Sequence, residues 1–390
     1  MREHRHETGE IDEVGHRFGF AAIDIDGVTE RLKRVEADAQ RQHHSEESIP
    51  LRARKTQVLD KRVVTIDAEV EVFEKTEDDE IGNDRRSDRD SPGARSTMRG
   101  IDNFRRLTAD KFARGIAFFL LGLAKKVLLA NPCGKIADTA FDAGSIQTLD
   151  AWFGSLAYSF QIYFDFSGYS DMAIGLGLMF GFVFAKNFDS PYLAQSITDF
   201  WRRWHISLST WLREYLYIPL GGNRRSLARI YANLIITMLL GGLWHGASWN
   251  FVIWGGIHGG MLAFERSQGR ESFYHNLPKP LRIGLTFLIV LLGWVFFRAQ
   301  NLRRAIEYLG AMFGLNHPWP PASLIGGVIY KPYYFLSILI AAIVVWLGTQ
   351  TWDWTQKMTW PKTAACFALG WLALIVLATQ EYNPFIYFIF

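Results

Sequence analysis

Cysteine is nearly absent from this 390-residue chain. The two that occur, Cys133 and Cys366, stand far apart and in no metal-ligand spacing, so neither a disulfide framework nor a zinc site is indicated. Each reads as a small packing residue of an apolar segment. No secretory signal opens the chain either, because its basic start is not followed by an apolar run of useful length. Acidic side chains are scarce beyond residue 100: of 39 Asp and Glu, 24 fall in the first hundred positions, against 18 of the 42 Lys and Arg. The remaining 290 residues are therefore apolar and basic, with a net charge of +9.

The composition thus averages two unlike parts. Residues 1–100 hold short β-prone runs such as Arg62 to Ile66, but charge interrupts nearly every window. Too little apolar area is available there to offset chain entropy, which predicts a polar, disordered or non-native leader. Apolar codons mostly carry U in the middle, and their complement encodes Asp, Glu, Lys, His, Asn and Gln. A mis-called start, a frameshift or an antisense read upstream of Met98 is therefore expected, with a natural acidic tail as the alternative.

Beyond Phe112 the chain fills with apolar stretches, and a helix of ~17 to 25 residues crosses a ~30 Å hydrocarbon layer. Candidate spans are Phe112–Ala130, Ala151–Phe166, Tyr169–Phe184, Ile230–His245, Trp249–Phe264, Leu281–Phe297, Tyr333–Leu347 and Ala364–Ala378. Several are short, which predicts tilted or re-entrant segments, or neighbours joined into bent pairs. Between Phe184 and Leu227, aromatics alternate with arginine, and such residues favour the headgroup level, so interfacial helices are expected. The loop Gly221 to Arg229 is basic and is expected to face the cytoplasm. Counting from Ile230 at ~1.5 Å per residue puts His245 about 22 Å beyond that loop. Treating every later segment as a full span would put Arg298, Arg303 and Arg304 outside, so at least one segment is expected to be re-entrant.

Two histidines lie in aromatic, charge-poor surroundings: His205 in Phe200-Trp201-Arg202-Arg203-Trp204-His205-Ile206-Ser207, and His245 in Gly241-Gly242-Leu243-Trp244-His245-Gly246. A histidine where water is scarce is either held by partners or does proton chemistry. On the residues alone both readings stand for His245, and His205 also fits a solvated position beside Arg202 and Arg203. Gly242 and Gly246 would let backbones approach closely. His258 would point away from His245 on a continuous helix, unless Gly255 and Gly256 break it. His275 and His317 read as loop residues. Trp249 and Asn250 could donate to a developing oxyanion or simply pack a helix pair. Asp165, Asp171 and Asp199 read as structural ion-pair partners of Arg202, Arg203, Arg213 or Lys186. The glycines of Gly175 to Gly181 have the wrong spacing for a phosphate loop and read as helix packing.

The two histidine motifs resemble those of the membrane-bound O-acyltransferase (MBOAT) family, in its alginate O-acetylation branch. The likeness runs from Asp110 to Phe390. It includes Tyr158 to Asp171, Asn187 to Tyr192, Phe200 to Asn223, Trp294 to Arg298 and Asn383 to Tyr387. It implies an all-α integral membrane protein, a multi-helix bundle with re-entrant and interfacial helices, filling residues 101–390. The family's N-terminal helices and a Gly-Pro segment before Asp110 are not found, so an N-terminal truncation is expected; Ala185 stands where relatives often have proline.

The resemblance also makes His245 the catalytic residue and His205 the second polar residue of the site. Trp244, Trp249, Asn250 and His258 are the substrate-binding candidates, and Asp199, Trp201, Arg202 and Arg203 the interfacial support. The implied donor is acetyl-CoA or another acetyl thioester on the cytoplasmic side, with no bound cofactor or metal. The implied acceptor is an exported polysaccharide, reached directly or through periplasmic acetyltransferase partners, from a multi-pass position in the bacterial inner membrane. Membrane lipid is the other partner, and nucleic acid is not one. The residues distinguish no polymer: alginate, cellulose, cell-wall glycans and the D-alanylation of teichoic acid all fit. A transporter or a non-catalytic scaffold of a secretion complex is the competing class, but neither histidine motif recurs as an internal repeat would require.

Overall fold

Paired glycines set the first helical contact. The computed structural model describes residues 108–269, 272–315, 326–327 and 329–379; the leader, His317 and the Asn383 to Tyr387 run lie outside the described residues. Helix α1 (Ala109–Ala124) starts at Thr108, whose hydroxyl accepts from the Lys111 N–H. A π-helical turn, Lys125–Ala130, leads to α2 (Asn131–Phe141), and α3 (Thr148–Met179) returns along them. A methyl on Gly168 would meet the Gly122 carbonyl oxygen at 2.8 Å, and one on Gly115 would meet that of Gly175 at 2.7 Å. Only glycine allows α1 and α3 so close.

Helix α3 is a case of two short candidate segments joined. It joins the two expected spans Ala151–Phe166 and Tyr169–Phe184 into one helix of 32 residues. Gly168, between the two segments, is spent on packing against Gly122 rather than on a turn. The aspartates of α3 find other partners than expected. Asp165 pairs with Lys126, and Asp171 accepts from Lys125 at 2.7 Å and from the Thr351 hydroxyl at 2.8 Å. Both lysines come from the π-helical turn, which aims two successive side chains at one helix.

Two seven-residue helices follow, α4 (Ile197–Arg203) and α5 (Ile206–Leu212), ending in a second π-helical turn, Arg213–Tyr217. Helices α6 (Leu227–His245) and α7 (Trp249–Ser267) form an antiparallel pair. A side chain on Gly242 would strike the Phe251 carbonyl, and one on Gly255 the Met238 carbonyl, so the α6–α7 backbones also touch through glycine. Gly255 and Gly256 do not break α7. The remaining helices are α8 (Lys279–Arg298), α9 (Leu302–Met312), α10 (Pro332–Leu347), the short α11 (Thr351–Trp354) and α12 (Trp360–Thr379).

Among the described residues all regular structure is helical. Among these residues three helices, α6, α8 and α12, are long and apolar enough to cross a membrane, and α10 is a shorter apolar helix. This is an all-α membrane protein. Its largest core cluster is aromatic, with Tyr163, Tyr192, Phe200, Trp201, Trp204, Trp254, Trp294 and Phe297 packed between α3, α4, α7 and α8. Cys133 and Cys366 are buried and unpaired in helices, as packing residues are.

Candidate active site

His205 is held in a conformation that a side chain rarely adopts. It sits between α4 and α5 at φ 45° and ψ 56°, in the left-handed region. Anchors on both sides enforce this. Ser196 caps α4 by accepting from the Asp199 N–H, and Asp199 in turn accepts from Arg203 at 2.7 Å. The fully buried carboxylate of Glu265, at the end of α7, accepts from the N–H groups of Ile197 and Thr198, both at 2.8 Å, and from the Thr198 hydroxyl. A buried carboxylate at a helix N-terminus is stabilised by such donors and by the helix dipole.

On the other side, Asn187 fixes the imidazole. Its side-chain oxygen takes the Ser207 N–H at 3.2 Å and the Ser207 hydroxyl at 2.9 Å, and lies 3.3 Å from His205 Nδ1. An amide oxygen only accepts, so Nδ1 carries the proton and Nε2 presents a lone pair. Phe166 of α3 packs edge-on against the ring, with centroids 4.5 Å apart. Burial first, and then the neighbouring His245 ring, lower the His205 pKa to about 3. The ring is therefore neutral at physiological pH. Below its ordinary value of about 6.5 the unfolded chain takes up a proton that the folded chain refuses, so this site costs stability as pH falls from there toward 3.

His245 is the last residue of α6, where Gly246 ends the helix against the Phe251 ring. Its ring is half-buried in an aromatic box. Phe297 lies 5.0 Å away, Trp254 5.4 Å away and perpendicular, and Trp244 4.9 Å away, centroid to centroid. Among the described residues no side chain hydrogen-bonds to its nitrogens. The fold thus brings His205 and His245, forty positions apart, into electrostatic reach of each other.

The other expected site residues divide. His258 lies on α7, not on a continuation of α6, and is buried under Trp201, whose indole N–H donates to its Nδ1 at 3.2 Å. Asn250 is buried, and its amide nitrogen donates to the Ala299 carbonyl at 2.6 Å, which ties the start of α7 to the end of α8. Trp244 and Trp249 are 62% and 71% exposed. Arg202 is exposed, Arg203 pairs with Asp199, and Trp201 is buried in the core. His275 is exposed in a turn, beside the Ser272 carbonyl. Sequence reasoning missed Asn187, Glu265 and Trp254. Asn187 lies in a run already singled out, whereas Glu265 has the look of an ordinary charge at a helix end.

The hydrogen bonds make one prediction here. If Asn187 acts by orienting His205, replacing either should misplace the same ring, and misplacement of a reacting group costs about 10²-fold in rate. His205→Ala and Asn187→Ala are each expected to lower product formation in membranes to that extent, and the double variant to be no worse than either. His275→Ala should be silent. Additive losses would mean that Asn187 acts elsewhere.

In this all-helical membrane protein His205 and His245 thus lie within electrostatic reach of each other, the second among aromatic rings. The chain belongs to the membrane-bound O-acyltransferase family, which it matches over residues 95–301. It is similar to a probable alginate O-acetylase of Pseudomonas putida, 44% identical over 315 residues, covering 74% of this chain and 64% of that protein. A probable alginate O-acetylase of Azotobacter vinelandii is 58% identical over 214 residues, covering 55% of this chain and 43% of that protein. A peptidoglycan O-acetyltransferase of Helicobacter pylori is 44% identical over 299 residues, 71% of this chain and 56% of that protein. The chain spans between 43% and 64% of the length of these relatives.

Proposed function

We propose that this protein is a membrane O-acetyltransferase that moves an acetyl group from a cytoplasmic thioester to hydroxyls of an exported polysaccharide such as alginate. Residues 101–390 form the acyltransferase domain, in a multi-pass arrangement in the bacterial inner membrane. The observation that carries this reading is the convergence of His245 and His205 at one aromatic-lined site, in a chain of this family. The donor is acetyl-CoA or another acetyl thioester. The polymer receives the acetyl group directly or through a periplasmic acetyltransferase partner.

The chemistry follows from what a sugar hydroxyl lacks. It is almost entirely protonated at neutral pH, so a base must take its proton as its oxygen attacks the thioester carbonyl carbon. His245, with no bond to another side chain to break, is that base. The carbonyl π electrons move to oxygen, and the tetrahedral species collapses by expelling the thiolate, which takes the proton back from His245. The ester and the free thiol are the products. His205, with Nε2 as an acceptor, orients the attacking hydroxyl.

The direction of transfer rests on the basic loop. Asn223 is bound by the Tyr217 hydroxyl at 2.8 Å and by Arg266 at 3.3 Å, so the loop is fastened to the far end of α7. Arg224, Arg225 and Arg229 are exposed around it, and the bias of such residues toward the cytoplasm favours a phosphate-bearing donor on that side. His245 lies at the opposite end of the 19-residue α6. Because both native cysteines are buried, single cysteines can be read cleanly with an impermeant thiol reagent. In intact cells Ser226→Cys should stay unlabelled until the membrane is broken, and Ala247→Cys, beside His245, should react from outside. Labelling of Ser226→Cys in sealed cells would reverse the direction of transfer.

A further inference from the structure

Three successive residues at the end of α8 each hold something different. Phe297 packs its ring 5.0 Å from that of His245 and 5.1 Å from those of Phe251 and Trp254. The Ala299 carbonyl takes the Asn250 amide N–H at 2.6 Å, which fastens the start of α7 just past the turn that follows His245. Between them the Arg298 guanidinium reaches across to α2. It lies 2.6 Å from Asp138 and 3.6 Å from Asp142, and 5.6 Å from the centre of the Phe141 ring.

The two acids that Arg298 meets stand where a helix disfavours them. Asp138 lies in the last turn of α2 and Asp142 caps it, so both face the negative end of the helix dipole, and four positions apart they repel each other. A local preference broken twice in one turn points to a tertiary cause. Arg298 supplies it. Its guanidinium is always charged, its planar fork can serve two carboxylates at once, and the C-terminal end of α8 is a place the dipole favours for a cation. The Arg298 and Asp138 side chains are 18% and 27% exposed, so the pair is worth more than one on the open surface.

Ring packing is what orients the base. Among the described residues no side chain hydrogen-bonds to the His245 nitrogens, and Trp244, its chain neighbour, is mostly exposed. Phe297 is buried and comes from another helix. We infer that Arg298 is a positioning residue for His245: by clamping the end of α8 to α2 it fixes Phe297 against the imidazole and Ala299 against Asn250. Arg298 touches no substrate in this role and acts through its two neighbours. Its effect on rate rests on the acetyltransferase reading above, whereas its effect on the His245 ring does not.

The test follows that ring by NMR in the full chain in detergent, with ¹³C-labelled histidine, alongside acetyl transfer from acetyl-CoA to alginate. The His245 signal is assigned by its loss in His245→Ala. In Arg298→Met it should move, because the aromatic face beside it has shifted, while the signal of exposed His275 stays in place. The same variant should lose about 10²-fold in kcat with little change in the KM for acetyl-CoA, as when a reacting group is misplaced. Arg298→Lys keeps the charge without the fork, and should recover much of the signal position and part of the rate. Asp138→Asn removes charge but not shape from the pair; it should displace the His245 signal in the same direction, and it decides the question if Arg298→Met does not fold. A purely structural Arg298 would lower the melting temperature and leave the His245 signal and kcat of the folded variants at parental values, which overturns the inference. Displacement in Arg298→Lys as large as in Arg298→Met also overturns it, since a clamp made by charge would survive there in part. A parent protein without turnover, in which the variants still move the His245 signal as expected, would instead sink the acetyltransferase reading and leave the clamp standing.

Discussion

His245→Ala should stop acetylation of the polymer while leaving the amount of protein in the membrane unchanged. The imidazole is half-buried at the end of α6, in ring contact with Trp254 and Phe297, and among the described residues no side chain depends on it for a hydrogen bond. Removing it therefore orphans no buried partner. The helix end is set independently by Gly246 against Phe251 and by the glycine contacts between α6 and α7. What is lost, on the function proposed above, is the base, and loss of a general base lowers rate about 10² to 10⁴-fold. The measurement is acetyl content of the polymer, with an immunoblot of the membrane fraction, in a full-length active form. Normal acetylation by His245→Ala would refute the mechanism. Equal disappearance of His245→Ala, His205→Ala and His275→Ala from the membrane would point to a structural role for histidine.

The same experiment separates an enzyme from a transporter or scaffold. A proton-relay histidine in a transporter would be missed as lost flux, with no effect on thioester cleavage by purified protein. An acyltransferase histidine would be missed in both.

Much of the site was legible in the sequence because the relevant signals are local. His205 and His245 each sit in a short aromatic and glycine-rich run whose composition already predicts a water-poor setting, and the helix pair on either side of His245 follows from apolar length. Partnership is another matter, since it depends on which helices meet. Asp165 and Asp171 read as partners of arginines or Lys186 nearby in sequence, but the π-helical turn after α1 delivers Lys126 and Lys125 to them. Glu265 follows an apolar run and has the look of an interfacial charge, yet it is fully buried as the cap of α4. Trp254 drew no attention because one more tryptophan among 14 carries no pattern. Only its unpaired N–H, visible once α7 and α8 are packed, sets it apart.

Lys126→Met should behave unlike any histidine variant, losing fold and activity together. The Lys126 and Asp165 side chains are 11% and 2% exposed, so the pair is almost wholly desolvated. Removing one member breaks this desolvated pair, and breaking a buried pair typically costs about 3 to 5 kcal/mol. Asp165→Leu should do the same from the other side. Replacing both, as Lys126→Met with Asp165→Leu, removes two desolvation penalties along with the attraction and should recover most of the loss. Activity follows stability here because the residue after Asp165 is Phe166, the ring packed edge-on to His205, and a shift of α3 at this point moves the wall of the site. Thermal unfolding in detergent and acetyl transfer, measured on the two single variants and the double, check both parts. Single variants as stable as the parent would show that the ion pair does not hold α3 in place. A stable double variant that remained inactive would instead give one of the two charges a part in the chemistry.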